Sequence, residues 1–486
     1  MTAQIPGVSL QQLQHATYEI PLPFDIQLND QSIGCERLLR VVPGKRMVFL
    51  GRFVNELVII KLFIHPSRAK VHWSRELNGA ILLREKHILT PSVVASGVTG
   101  EGILVLVFRY INGQDLASLW KNSSDADRER RATSMMTVLS QHHASGLTHH
   151  DLHYGNFLVA DGEQIYTLDP EEVKSHSAPL KKKRRLKNLA LFLAQTFDLR
   201  KDSILSLLTH YAQVSAIELD RHDPKHFWRW ITHYHQQRID QYLKKILREC
   251  TEVIHKETQT GYTLCRRENH DVQIQRMLEQ PELFFESADS EYLKQGNTCT
   301  VKSIEISGRR YVMKRYNPKG VMYELAHKGK MSRARRSWIN AHLLRFVGIS
   351  TPEPVALVEN QPALGKRCSY FISRQVQGQS SWDFFCGRGS SDEKKCRVAD
   401  ELLCTLKQLR EHRLSHGDMK GSNFLVGGDK VWVLDLDALV RHKQTRTFKA
   451  SWKRDKKRFL QNWDNKACYE PWKQYFNQHL LDADAG

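Results

Sequence analysis

Three side chains in the second half of the chain have the types and order that phosphoryl transfer requires. Asp418 follows Ser415-His416-Gly417, Asn423 comes five residues later, and Asp435 ends the apolar run Val431-Trp432-Val433-Leu434. Moving a phosphoryl group needs little covalent help from a protein. It needs position, a base beside the acceptor hydroxyl, and cations on the developing charge. Asp418 has the place of the base. The Asn423 amide and the Asp435 carboxylate are hard oxygen donors suited to Mg2+, which would bridge the phosphates of ATP. Lys420, two residues after Asp418, is placed to reach the transferring phosphate.

The same order occurs earlier. Asp151 lies in His149-His150-Asp151-Leu152-His153, Asn156 follows five residues on, and Asp169 closes the run Ile165-Tyr166-Thr167-Leu168. The separations from first to second copy are 267, 267 and 266 residues. Spacing that repeats this closely reads as tandem duplication. In the first copy His153 stands where Lys420 does, a weaker and pH-dependent cation. One His-x-Asp with an Asn five on is a weak signal. Two copies in series, each with a strand lysine upstream, are a strong one.

Each loop needs a scaffold. Arg37–Val42, Met47–Phe53 and Glu56–Phe63 read as strands, with Gly44 and Asn55 at the turns. Lys61 leaves the run Val58-Ile59-Ile60, where a lysine would contact the α- and β-phosphates. Ser74–Glu85 has helical periodicity, and its Glu76 is the candidate partner of Lys61. A strand at Ile103–Phe108, a turn at Gly113 and a helix at Arg130–Gly146 lead to the first loop. Helical stretches continue to about Cys250. In the second half Thr300–Ile306 and Arg310–Lys314 are strands, Lys314 is the second strand lysine, and Ser337–Val347 is the helix. Tyr370–Ser373 and Gly378 form a second hinge, and Val398–His412 leads to the second loop. Gly44 and Gly296 are the glycines available to cover phosphates, in place of a full glycine-rich loop.

The fold class that follows is α+β: two tandem protein-kinase-like domains, each with a small β-rich N-lobe and a larger helical C-lobe. The boundaries read as a lead-in over 1–30, a first domain over 31–255, a linker over 256–290 and a second domain over 291–486.

The 486 residues suit two such domains, and 41% apolar content is enough for packed cores. The formal charge of +19 points to anionic partners. Nine scattered cysteines without a Cys-x-x-Cys pair suggest reduced thiols in the cytosol. No signal peptide is read at the N-terminus, and no apolar run is long enough to span a bilayer. Other motifs fail. Gly365-Lys366-Arg367 lacks the spacing and the Ser or Thr of a phosphate-binding P-loop. His149 and His153 flank Asp151 without the Glu of a zinc-protease helix. Arg441–Arg458 is basic with Phe448 and Trp452 interleaved, which could stack on RNA, but no recognition module accompanies it and no nucleic acid is expected.

The chain resembles the lipopolysaccharide core heptose kinase family. The resemblance is carried by Ser332-Arg333-Ala334-Arg335-Arg336-Ser337-Trp338, Gly348-Ile349-Ser350-Thr351-Pro352-Glu353-Pro354, His416-Gly417-Asp418, Asn423 and Leu434-Asp435-Leu436-Asp437. The second half matches over most of its length, and the first more loosely through Asp151, Asn156 and Asp169. The resemblance implies ATP-dependent phosphorylation of a heptose hydroxyl on the lipid A-core oligosaccharide. It places the protein in the cytoplasm, peripheral on the anionic inner face of the inner membrane. Asp418 would be the base, Asn423 and Asp435 would hold magnesium, and Lys314 would contact ATP. The second half departs from the pattern where Ser337 stands opposite Glu76, with Glu324 as a possible substitute acid. Neither half has an Asp-Phe-Gly triplet or a recognisable activation segment, which favours a small or glycolipid acceptor. The alternatives are a non-catalytic tandem adaptor that docks envelope-synthesis enzymes, and a protein kinase.

Overall fold

The computed structural model describes residues 9–16, 20–197, 199–258, 261–317, 331–360, 368–387, 389–461, 463 and 470–482. It divides into two compact units, Met1–Arg238 and Ile239–Gly486.

The first unit begins with a six-stranded antiparallel sheet. Its order across the sheet is Phe24–Leu28, Gln31–Val42, Arg46–Phe53, Glu56–Phe63, Leu104–Arg109 and Val93–Val98. One face buries Phe24, Ile33, Met47, Phe49, Val58, Ile60 and Val105 in a single core. Strand alternation puts every second side chain on that face. Full burial of a side chain of this size contributes about 1.5–3 kcal/mol. The helix Ala69–Glu85 packs beside the sheet through Ala80. A second core gathers the helices Asp125–Ala144, Lys182–Leu193 and Lys201–Val214 around Met135, Leu139, Phe157, Leu189 and Phe192. On its edge lies a three-stranded sheet, with Phe157–Ala160 between Ile165–Thr167 and Gly113–Asp115.

The second unit is likewise mixed sheet and helix. Its main sheet has seven strands, ordered Val253–Thr258, Gly261–Arg266, Pro354–Asn360, Cys368–Arg374, Arg309–Tyr316, Cys299–Ile306 and Glu291–Lys294. The helix Arg333–Phe346 covers it, with the buried Trp338 donating its indole N–H to the Ile246 carbonyl at 3.1 Å. The small sheet is Gln379–Ser380, Phe424–Gly427 and Lys430–Val433. Both helices that lead into the loops, Asp125–Ala144 and Asp392–Glu411, start at a serine. Ser124 and Ser391 each accept from a backbone N–H three residues on, and acids occupy both first turns. These capping signals are worth about 1 kcal/mol each.

Three expectations are corrected. Residues 256–290 are no linker: they supply strands and the helices Val272–Glu279 and Pro281–Phe285 to the second unit. The segment looks polar because its outer strand exposes Lys256 and Glu257, while Leu264 and Cys265 on the next strand are buried on opposite faces, in separate cores. The division falls inside the helix Asp223–Lys245, so no change of composition marks it. The lead-in 1–30 includes a strand, Phe24–Leu28, paired to Gln31–Cys35 in the main sheet. Cys386 is disulfide-bonded, whereas Cys35, Cys250, Cys265, Cys299, Cys368, Cys396 and Cys404 are free. Scatter along a chain says nothing about which sulfurs meet in the fold. Among the described residues no helix is long and apolar enough to cross a membrane.

Candidate active site

Lys61 owes its position to strand alternation. Val58, Ile60 and Leu62 point into the core, so Ile59 and Lys61 face the other way and line a cavity of about 280 Å³. The Lys61 ammonium pairs with the fully buried Glu76 and lies 3.7 Å from Asp169 Oδ1. Asn156 and Asp169 line the same cavity. Asn156 Nδ2 donates to the Asp151 carbonyl at 2.7 Å, and Leu168 N donates to the Asn156 carbonyl at 2.7 Å. Asp169 has φ 49° and ψ 63°, a left-handed backbone that non-glycine residues adopt at a cost of about 1–3 kcal/mol. Burial works to raise its pKa, but Lys61 and Arg46 outweigh it and hold the carboxyl well below its usual range. Asp151 and His153 stand apart from the lining residues, with His153 Nε2 3.6 Å from Asp151 Oδ2.

Arg46 shares this cavity, and nothing in the sequence pattern points to it. It leaves the turn between Gln31–Val42 and Arg46–Phe53. Its Nη1 donates to Glu76 Oε2 at 2.7 Å and to Asp169 Oδ1 at 3.3 Å, and its Nη2 donates to Asp169 Oδ2 at 3.4 Å. Glu171 Oε2 lies 3.6 Å from the same Nη1.

In the second unit Tyr311 and Met313 are buried, and the alternate residues Val312 and Lys314 line a cavity of about 530 Å³. Asn423 and Asp435 line it too. Lys314 pairs with Asp435, whose carboxyl is held down at about 2 because Lys314 outweighs the upward push of burial. Asp435 repeats the left-handed backbone, with φ 57° and ψ 60°. Asn423 and Asp435 thus offer two oxygen donors to one cavity, which fits a magnesium–nucleotide complex. The Ser337 hydroxyl meets the Tyr316 hydroxyl at 2.7 Å, and among the described residues no acid occupies the place that Glu76 has. Arg333 Nε pairs instead with Asp437 Oδ2 at 2.5 Å. Glu324 and Gly365-Lys366-Arg367 lie outside the described residues. Gly44 turns its hairpin at φ 64°, and the Gly296 carbonyl accepts from Asn317 Nδ2 at 3.1 Å. Neither glycine is among the described residues lining the two cavities.

Asp418 collects donors. Asn423 Nδ2 approaches its Oδ2 at 3.3 Å, Lys420 Nζ lies 3.1 Å from that oxygen, and Arg458 Nη2 lies 2.5 Å from Oδ1. Partial burial pushes the carboxyl's pKa up, and Lys420, Arg458 and Asn423 together bring it below its usual range. A carboxylate ionised at neutral pH beside a polar loop is suited to accept a proton. The loop is pinned from below. His416 is fully buried: its Nδ1 accepts from Asp418 N at 3.3 Å and its Nε2 meets the Leu434 carbonyl at 2.9 Å. That pattern fixes a neutral ring with its proton on Nε2, and burial lowers its pKa accordingly. Asp455, on the helix Thr445–Gln461, accepts from the backbone N–H groups of His416 at 2.6 Å and Gly417 at 3.0 Å. Gly417 has φ 79°, and a Cβ there would sit 2.7 Å from the Ala438 carbonyl, so the turn requires glycine. Arg458 was visible in the sequence only as part of a basic run, and Asp455 carried no signal at all.

No curated protein matches the chain in sequence. Among solved structures, the bifunctional kinase-methyltransferase WbdD is similar at 15% identity and a TM-score of 0.32, over 43% of this chain and 54% of that one. A second WbdD structure gives 16% identity and 0.32 over 43% and 52%. The kinase domain of Mycobacterium tuberculosis PknI gives 16% identity and 0.26, over 34% of this chain and 72% of that one. The chain thus spans about half the length of the WbdD structures it matches. Residues 282–474 match the model of the lipopolysaccharide kinase (Kdo/WaaP) family. That stretch holds Lys314, Asp418, Lys420, Asn423, Asp435, Asp455 and Arg458.

Proposed function

We propose that the two units are tandem kinase-like folds and that the second phosphorylates a heptose hydroxyl of the lipopolysaccharide inner core. The observation that carries this reading is the convergence of Lys314, Asn423 and Asp435 on one cavity, with Asp418, itself outside the lining residues, accepting from Asn423 Nδ2. Magnesium, when bound there, neutralises charge on the ATP phosphates. Lys314 orients those phosphates. Asp418 takes the proton of the acceptor hydroxyl as its oxygen bonds the γ-phosphorus and the bond from that phosphorus to the bridging oxygen of the departing ADP breaks, and Lys420 and Arg458 stabilise the charge that builds beside it.

The acceptor in this reading is the lipid A-core oligosaccharide, presented at the anionic cytoplasmic face of the inner membrane. Support comes from the net charge of +19 and from a groove of about 1270 Å³ lined by Lys407, Arg413, Lys449, Lys453 and Lys457 with Phe448 and Trp452. Lysines beside an anionic surface contribute about 1 kcal/mol each. The test is transfer of labelled phosphate from ATP to purified core oligosaccharide. The intact chain labels heptose, Asp418→Ala loses about 10²–10⁴-fold in rate, and Asp151→Ala does not. Magnesium-dependent ATP binding without turnover on any core acceptor would instead favour the adaptor. Labelling of a protein hydroxyl at a comparable rate would favour a protein kinase.

A further inference from the structure

The two cavities differ at one register position. In the first unit Val48 faces Lys61 across the sheet, and two residues earlier Arg46 faces Phe63. In the second unit Val301 faces Lys314, and two residues earlier Cys299 faces Tyr316. A guanidinium therefore stands in one unit where a thiol stands in the other. The guanidinium spans both oxygens of Asp169, at 3.3 and 3.4 Å, and reaches Glu76 at 2.7 Å. A magnesium ion on Asp169 would have to displace this cation or sit against it, at a Coulomb cost that grows with the burial of the site. Glu76, Asp169 and Glu171 cluster closely enough to hold a cation, and the Arg46 guanidinium with the Lys61 ammonium fills that cluster, whereas Asp435 meets the Lys314 ammonium and no guanidinium among the described residues.

The fork that pairs with a carboxylate also pairs with a phosphate, because both present planar or near-planar oxygen pairs at matching spacing. Arg40, Arg46 and Lys61 line the cavity as three cations, and Ile59, Phe108 and Leu158 give it an apolar wall of the kind that takes a base. Arg40 and Arg46 lie on the two adjacent strands that flank one turn, and both line the cavity. We infer that the first unit binds a nucleoside triphosphate without a divalent metal, the Arg46 guanidinium supplying the charge that magnesium supplies in the second. This rests on reading the first unit as a nucleotide site.

Calorimetric titration of the full chain with ATP tests it. In EDTA one nucleotide binds per chain; with magnesium, two bind. Asp435→Ala removes only the magnesium-dependent event, and so shows that the first unit remains folded. Arg46→Ala weakens the EDTA event by about tenfold or more, with Arg46→Lys intermediate and both variants melting as the parent does. If binding is seen only with magnesium, at one site per chain, the inference fails and the proposed activity of the second unit stands. If Arg46→Ala gains a second magnesium-dependent site, Arg46 is a plug and the inference is overturned. No binding in either condition overturns the inference and the proposed function together.

Discussion

The carboxylate of Asp455 accepts the backbone N–H of His416 at 2.6 Å, and so ties the helix Thr445–Gln461 to the loop that carries Asp418. The contact is made by an acid that never faces the cavity. Burial raises the pKa of Asp455, and two backbone donors work against that rise. The bonds satisfy N–H groups that would otherwise be buried without partners, a loss worth about 1–3 kcal/mol. Asp455→Ala is expected to lower stability by that amount and to lower kcat more than it raises KM for ATP. Asp455→Asn keeps an acceptor and recovers most of the stability. Chemical denaturation and steady-state kinetics on both variants check this. An unchanged kcat in a folded Asp455→Ala protein would contradict the positioning role.

Asp418 must be ionised to accept a proton, and its two cations hold its pKa down. Removing one lets that pKa rise towards the ordinary value. In Arg458→Ala and in Lys420→Ala the acid limb of the kcat/KM profile therefore moves to higher pH, while the alkaline limb stays in place. The profile of kcat/KM reads the free enzyme, so the shift is visible without saturating substrate. A fall in rate with no movement of the acid limb would mean that Arg458 contacts the acceptor and does not tune the base.

The strand lysines give an internal contrast. Lys314→Met removes a cation aimed into the cavity that also holds Asn423 and Asp435, and a loss of about 10²–10³-fold in turnover is expected from removal of one electrostatic contact of this kind. Lys61→Met leaves core phosphorylation within about twofold of the parent on the same scale, because the first unit is not the catalyst in the proposed reading. Equal losses in the two variants would assign turnover to both halves.

The basic groove makes a salt-dependent prediction. Lys453→Glu with Lys457→Glu should reduce sedimentation with vesicles containing anionic lipid and leave turnover on a soluble core oligosaccharide unchanged. The parent's vesicle binding should itself weaken as salt rises from low to physiological strength. Vesicle binding that survives both the charge reversal and salt would place the membrane contact elsewhere.

Local pattern carried much of the fold. The strand Glu56–Phe63 is read from the sequence to the residue, because a β-branched run with alternating burial has no competing helical period. The helix that holds Glu76 is placed but starts at Ala69, five residues earlier than its apolar spacing shows. The loops around Asp151 and Asp418 stand out because their spacing is short and repeated. Arg46 and Asp455 stay hidden for the opposite reason. The role of Arg46 depends on which strand residue it faces, and Asp455 acts on a backbone 39 residues away. Residues 256–290 read as a linker because an edge strand with exposed Lys256 and Glu257 has a linker's composition.

Asp169 and Asp435 both bend the chain into a left-handed turn, at φ 49° and 57°. A residue in that conformation aims its first carbon by backbone shape and leaves little to rotamer choice. Valine or isoleucine in either place would clash with the chain itself, whereas asparagine and glycine could keep the bend. Drift away from activity at these two places is thus channelled towards a small set of replacements, and a relative that has lost its chemistry there can retain its shape.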